Sequence, residues 1–167
     1  IAWVILSSGM RESVIRNKFH YISKAFYDWT SSERIIINRD ECYINALSYF
    51  NNKQKINAII TVTEYLYNYG FETVKSTIGR EGVKFLMEFP FIGPATSYHL
   101  AKNIGIDVAK PDRHLKRIAD KFGFSEVNAL CSEIAKVTGE KVSVIDLVLW
   151  RFATLNSQYL ENLDALI

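Results

Sequence analysis

The chain has 167 residues, 49% hydrophobic and 23% charged, with a formal net charge of +2, enough to bury one core or two small ones. Its two cysteines, Cys42 and Cys131, form no C-x-x-C pair and no cluster with His20, His99 or His114, which excludes a cysteine-ligated metal centre and a disulfide framework. The apolar run over residues 1–6 is too short to cross a bilayer and has no basic leader, so the expectation is an intracellular, reduced protein that does not engage a membrane, in cytoplasm and nucleoid or in a nucleus.

The chain opens without Met inside a helical pattern, so further sequence is expected before Ile1. The first run breaks at Ser7-Ser8-Gly9, and a second pattern (Val14, Ile15, Phe19, Ile22, Phe26) predicts a helix to about Trp29. A connector through Asn38 includes Arg34-Ile35-Ile36-Ile37, the one strand-like stretch, and leads to a helix over about 40–50 capped by Asp40 or Asn38. Residues 53–69 read as a long amphipathic helix with Ile56, Ile59, Ile60, Thr63 and Leu66 on one side, closed by Gly70. A short helix over 71–78 and the Gly79-Arg80-Glu81-Gly82 punctuation lead to a helix over about 83–88.

A Pro-x-x-Gly-Pro turn (Pro90, Gly93, Pro94) then reverses the chain into a helix from about Pro94 to Asn103, ended by Gly105. Together these predict a helix-hairpin-helix over about 83–104. A loop spans 106–111. Further helices are expected over 112–122, over 125–138 with Ser125 as cap, and over 142–153; no pattern is assigned to the tail. With no alternating run longer than a few residues, the expected fold is all-α.

Pro94 at a first helical position leaves the next amides, those of Ala95 and Thr96, facing outward where dipole and free N–H groups favour a phosphate. Charge agrees: Arg80 to Lys121 holds eight basic residues against five acidic, whereas from Phe122 onward three basic face six acidic. A polyanion would dock near the hairpin.

The stretches F-P-F-I-G-P-A-T-S and K-P-D-R-H-L, with Asp112 seventeen residues after Ala95, resemble the signature of the helix-hairpin-helix DNA glycosylase superfamily. That superfamily includes endonuclease III and the adenine, 8-oxoguanine and alkylpurine glycosylases. The likeness extends more weakly from about Ile1 to Phe152. It implies a single two-lobed helical domain with a central cleft, monomeric, that flips a damaged, mismatched or modified base out of double-stranded DNA. It also implies that Phe91, Ile92, Gly93, Pro94, Ala95 and Thr96 meet the DNA backbone. Arg113, His114 and Lys116 would do so after Asp112, as would Lys53 and Lys55 at the basic start of their helix. The loop holding Met10 and Arg11 stands where relatives insert a wedge side chain; Gly9 departs from the polar residue often found there. Relatives often hold a monovalent cation, K⁺ or Na⁺, on hairpin carbonyls, here those of Met87, Phe89 and Ile92. The iron–sulfur cluster of several relatives needs four C-terminal cysteines that this chain lacks, and no organic cofactor is expected.

Asp112 matches the catalytic aspartate. An oxocarbenium-like sugar forms as the base departs, and a nearby negative charge stabilises it while a positioned water completes hydrolysis. The same Asp, after Pro and before Arg-His-Leu, is a good helix N-cap, and the two roles are compatible. Ala95 stands where strand-cutting relatives carry a Schiff-base lysine; a methyl group is no nucleophile, so the chain is expected to be monofunctional, with Lys110 the only basic neighbour of Asp112 able to substitute. Phe91 replaces a glycine that lets the turn approach phosphate. Trp3, Trp29, Tyr98 and Trp150 are aromatic candidates for a base pocket, of which at most one or two are expected to touch a base and the rest to be core. Asp146 is better read as a salt-bridge or hydrogen-bond partner than as a second acid. The alternative to an enzyme is a non-enzymatic DNA-binding hairpin module in which Asp112 only caps its helix.

Overall fold

In the computed structural model, which describes residues 1–164, every regular element is helical and no strand occurs among the described residues. The chain is all-α. It divides into two compact units, Ile1–Leu100 and Ala101–Ile167, and the division falls inside one helix.

The first unit is built on α5 (Lys53–Tyr69), which packs against α1 (Ala2–Ser7), α3 (Ser32–Ile37), α4 (Arg39–Tyr49) and α6 (Phe71–Glu81). The Asn52 side chain accepts from Lys55 N at 3.1 Å to start α5, and Gly70, with φ 80°, stops it. Ile56, Ile59, Ile60 and Val62 are buried, as the period of the sequence requires, beside Val4, Ile5 and Leu6 of α1. α2 (Glu12–Ala25) lies against α1 and α4, with Ile15 and Ile22 buried. α7 (Val83–Leu86) is followed by a turn and then by α8 (Pro94–Asn103).

The second unit contains the end of α8, a loop, α9 (Arg113–Lys121), α10 (Val127–Thr138), α11 (Val142–Leu155) and α12 (Tyr159–Asp164). α9, α10 and α11 pack on one another around Leu115, Ile118, Val127, Leu130, Cys131, Ile145 and Ala153.

Several boundaries differ from expectation for local reasons. α2 stops at Ala25 instead of continuing to Trp29, because Tyr27, Asp28 and Trp29 adopt positive φ in a 3₁₀ turn; Trp29 stacks on Phe26 and donates Nε1–H to Ser23 Oγ at 2.8 Å. The Arg34–Ile37 run is helical, not extended: Ser31 accepts from Arg34 N at 3.1 Å, and a helical turn buries Ile35 while leaving Ile37 74% exposed. α6 passes through Gly79 to Glu81, and α7 is shorter than 83–88. Ser125 is not the cap of α10; Glu126 takes that place without a side-chain bond. α11 runs on to Leu155, and α12 forms where no pattern was assigned.

Candidate functional site

Aromatic packing anchors α7 and the turn after it, with Tyr65 of α5 against Phe85 and Phe89 at centroid distances of 6.1 and 5.7 Å. Ile92 is buried and plugs the turn. Gly93 N donates to Thr96 Oγ1 at 2.7 Å and Ser97 N donates to Gly93 O at 2.9 Å. The Gly93 amide is therefore spent, while the N–H groups of Ala95 and Thr96 lie in the first turn of α8, where the helix supplies no acceptor. Pro94 and Ala95 are exposed.

Phe91 has φ 63°, the left-handed region that costs a residue with a Cβ roughly 1–2 kcal/mol. The ring, 38% exposed, stands 5.2 Å from Lys55 Nζ, within cation–π range.

Lys55 corrects its expected role. It is 4% exposed, and its ammonium donates to the carbonyls of Ile5 (2.5 Å), Leu6 (2.9 Å) and Ser8 (2.5 Å), the last turn of α1 and the loop after it. Three donor protons meet three acceptors, which leaves none for a phosphate. Burial pulls the ammonium below its ordinary pKa. Lys53, by contrast, is exposed at the start of α5.

The α1–α2 loop presents Met10 and Arg11 to solvent, with Gly9 at φ 67°. Beneath it is a hollow of about 370 Å³ lined by Trp3, Ser7, Ser8, Met10, Glu12, Thr96 and His99 among others. Trp3 also borders an apolar hollow of about 280 Å³ that reaches Phe19 and Trp29. Trp29 is thus part of an aromatic stack. Glu12 and His99 had no local sequence signal as lining groups; only the fold brings them to Trp3. Met87, Phe89 and Ile92 share a third hollow with Ser8, Gly93 and Thr96. Phe89 O accepts from Ile92 N at 3.1 Å.

In the second unit, Asp112 is the N-cap of α9. Its Oδ1 accepts from His114 N and from Leu115 N, each at 2.9 Å, whereas Oδ2 accepts no hydrogen bond from the described residues of its own unit. α9 buries Leu115, Ile118 and Ala119 and exposes Arg113, Lys116 and Arg117. The basic residues therefore share one solvent face near the positive end of the helix. Arg113 Nε donates to His114 Nε2 at 3.3 Å, and the His114 ring meets Tyr159 edge-on at 5.5 Å. Among the described residues, His114 Nδ1 and Tyr159 Oη are buried without a partner.

The loop before Asp112 is tied down by side chains. Asp107 accepts from Val142 N (3.1 Å) and Ser143 N (2.8 Å), which caps α11 and, chiefly through the Ser143 bond, holds the carboxyl below its ordinary pKa. Ala109 N donates to Asn128 Oδ1 at 3.1 Å, and Lys110 N donates to Asp146 Oδ1 at 3.1 Å. Asp146 Oδ2 pairs with Lys102, which engages that ammonium inside the unit. Burial, and then the Asp146 charge, push the Cys131 thiol up to about 12. Tyr98 is half-buried and Trp150 exposed. No helix among the described residues is long and apolar enough to cross a membrane.

Compared with protein-family models, with curated proteins and with solved structures, the chain matches none.

Proposed function

We propose that the chain is a monofunctional DNA glycosylase that hydrolyses the N-glycosidic bond of a flipped, damaged or modified base. The observation that carries this reading is the state of Asp112. Two amides hold one carboxylate oxygen, the other is uncommitted within its unit, and the group caps a helix whose exposed face is basic.

On this reading the duplex is held by phosphate contacts at the α8 N-terminus and by Arg113, Lys116 and Lys53. The second carboxylate oxygen of Asp112, Oδ2, faces the sugar, stabilises positive charge as the base departs and orients the attacking water. The target base leaves the stack at a cost of a few kcal/mol, with Met10 or Arg11 filling the gap. The hollow beside Trp3, about 370 Å³ and lined by both aromatic and polar groups, is large enough for a nucleobase. Tyr98 and Trp150 are further stacking candidates. Ala95 supplies no amine, so no imine forms at that position and the strand stays intact. A monovalent cation on the Met87, Phe89 and Ile92 carbonyls would add positive charge at the turn. A monomer with the two-lobed glycosylase fold and its central cleft, working on double-stranded DNA inside the cell, belongs to the same proposal.

The N-cap geometry of Asp112 serves equally in a hairpin module that binds DNA without chemistry. Duplexes carrying a panel of alkylated, deaminated, mismatched and bulky bases separate the two. Incubation followed by alkali should cleave at least one duplex at the lesion; binding without any alkali-labile site would favour the module.

A further inference from the structure

Asp146 is 3% exposed, and burying a carboxylate is unfavourable unless each oxygen has a partner. Lys102 satisfies Oδ2, and the Lys110 amide satisfies Oδ1. The carbonyl of the same residue, Lys110, accepts from Asp112 N at 2.8 Å. A chain of two hydrogen bonds therefore runs from the Asp146 carboxylate through one residue to the backbone of Asp112. Next to it, Ala109, itself buried, is tied to Asn128. The loop has no ladder or helix to satisfy its amides, so these side chains from α10 and α11 set its path.

Resting on the glycosylase reading, we propose that Asp146 is a positioning residue for Asp112: it fixes the Lys110 peptide, and with it the approach of the Asp112 carboxylate to the sugar. Lys102 neutralises the buried charge so that Asp146 can be an acceptor there. Misplacement by about 1 Å at a reacting group can cost on the order of a hundredfold in rate, so a tether two residues away has leverage that stability alone does not reveal.

The test uses the full chain and two variants. Asp146→Asn keeps an acceptor oxygen for Lys110 N–H. Lys102→Met combined with Asp146→Leu removes the acceptor but replaces the ion pair with apolar groups of similar size, which proteins commonly tolerate in folding. Single-turnover excision by the double variant should fall about 10- to 100-fold while affinity for DNA stays within about twofold, and Asp146→Asn should restore the rate to within about threefold of wild type. Amide exchange at Lys110 and Asp112 should accelerate in the double variant only. A folded double variant that excises at the wild-type rate overturns the proposal, as does Asp146→Asn behaving like the double variant. Unchanged exchange at both amides would overturn the tether itself. A wild-type protein that excises no base would instead sink the glycosylase reading, while the exchange data still report on the loop.

Discussion

Replacing Asp112 by Ala and, separately, by Asn divides its two roles. In the structure its Oδ1 satisfies the N–H groups of His114 and Leu115, both at 2.9 Å. Ala removes that acceptor, and loss of an N-cap costs about 1 kcal/mol, within a range of roughly 0.5–2. For a chain of this size that is a fall in Tm of about 2–4 °C. Asn keeps an amide oxygen in place and should change Tm by about 1 °C or less, because Asn and Asp cap about equally well. Neither variant has a charge to stabilise an oxocarbenium ion, so both should lose about 10²–10³-fold in single-turnover excision, the scale of removing one preorganised electrostatic group. The assays are thermal unfolding by circular dichroism and excision at saturating enzyme, with affinity for uncleaved DNA as control. A wild-type rate in Asp112→Asn would refute the catalytic role, and an unchanged Tm in Asp112→Ala would refute the capping energetics.

Lys55→Met leaves the carbonyls of Ile5, Leu6 and Ser8 without their donor and should cost about 2 kcal/mol in urea unfolding, with little change in the salt dependence of DNA binding. Lys116→Ala should lower the slope of log K against log salt by about one unit, whereas Lys102→Ala, which breaks an internal ion pair, should lower stability and leave the slope unchanged. The Cys131 pKa rises from its ordinary 9.0 to about 12 on folding. The folded state therefore holds a proton that the unfolded chain releases, and this contribution, complete below pH 9.0, is lost as pH rises through about 12. Cys131→Ala should flatten the decline of stability with pH in that interval, as measured by urea unfolding at several pH values.

Where one residue decides locally, the sequence was sufficient. α5 spans the expected residues 53–69 and stops at Gly70, and Asp112 begins α9 as its flanking residues imply. Where the outcome depends on partners far along the chain, local reading failed. Lys53 and Lys55 look alike at the basic start of α5, yet Lys55 is buried because the last turn of α1, about fifty residues earlier, needs donors for its carbonyls. Arg34–Ile37 has the β-branched composition of a strand, but the Ser31 cap and the burial of Ile35 favour a helical turn. The tail gave no helical period, yet α12 forms and buries Tyr159 against the second core. Asp146 could be assigned a structural role from its place on an apolar helix, but nothing in its neighbourhood pointed to Lys110 or Lys102. Glu12 and His99 lie far apart in sequence, and only tertiary packing brings both to the Trp3 hollow.

The central claim is hydrolysis at the glycosidic bond without attack by an amine. It is tested most directly by measuring free base, intact abasic strand and borohydride-trapped complex from one reaction on a single-lesion duplex. The account predicts free base and abasic strand in equal amounts, strand breakage only after heat or alkali, and no covalent complex, because Ala95 carries no nucleophile. Efficient trapping by the unaltered protein would contradict it and make Lys110 the first residue to replace.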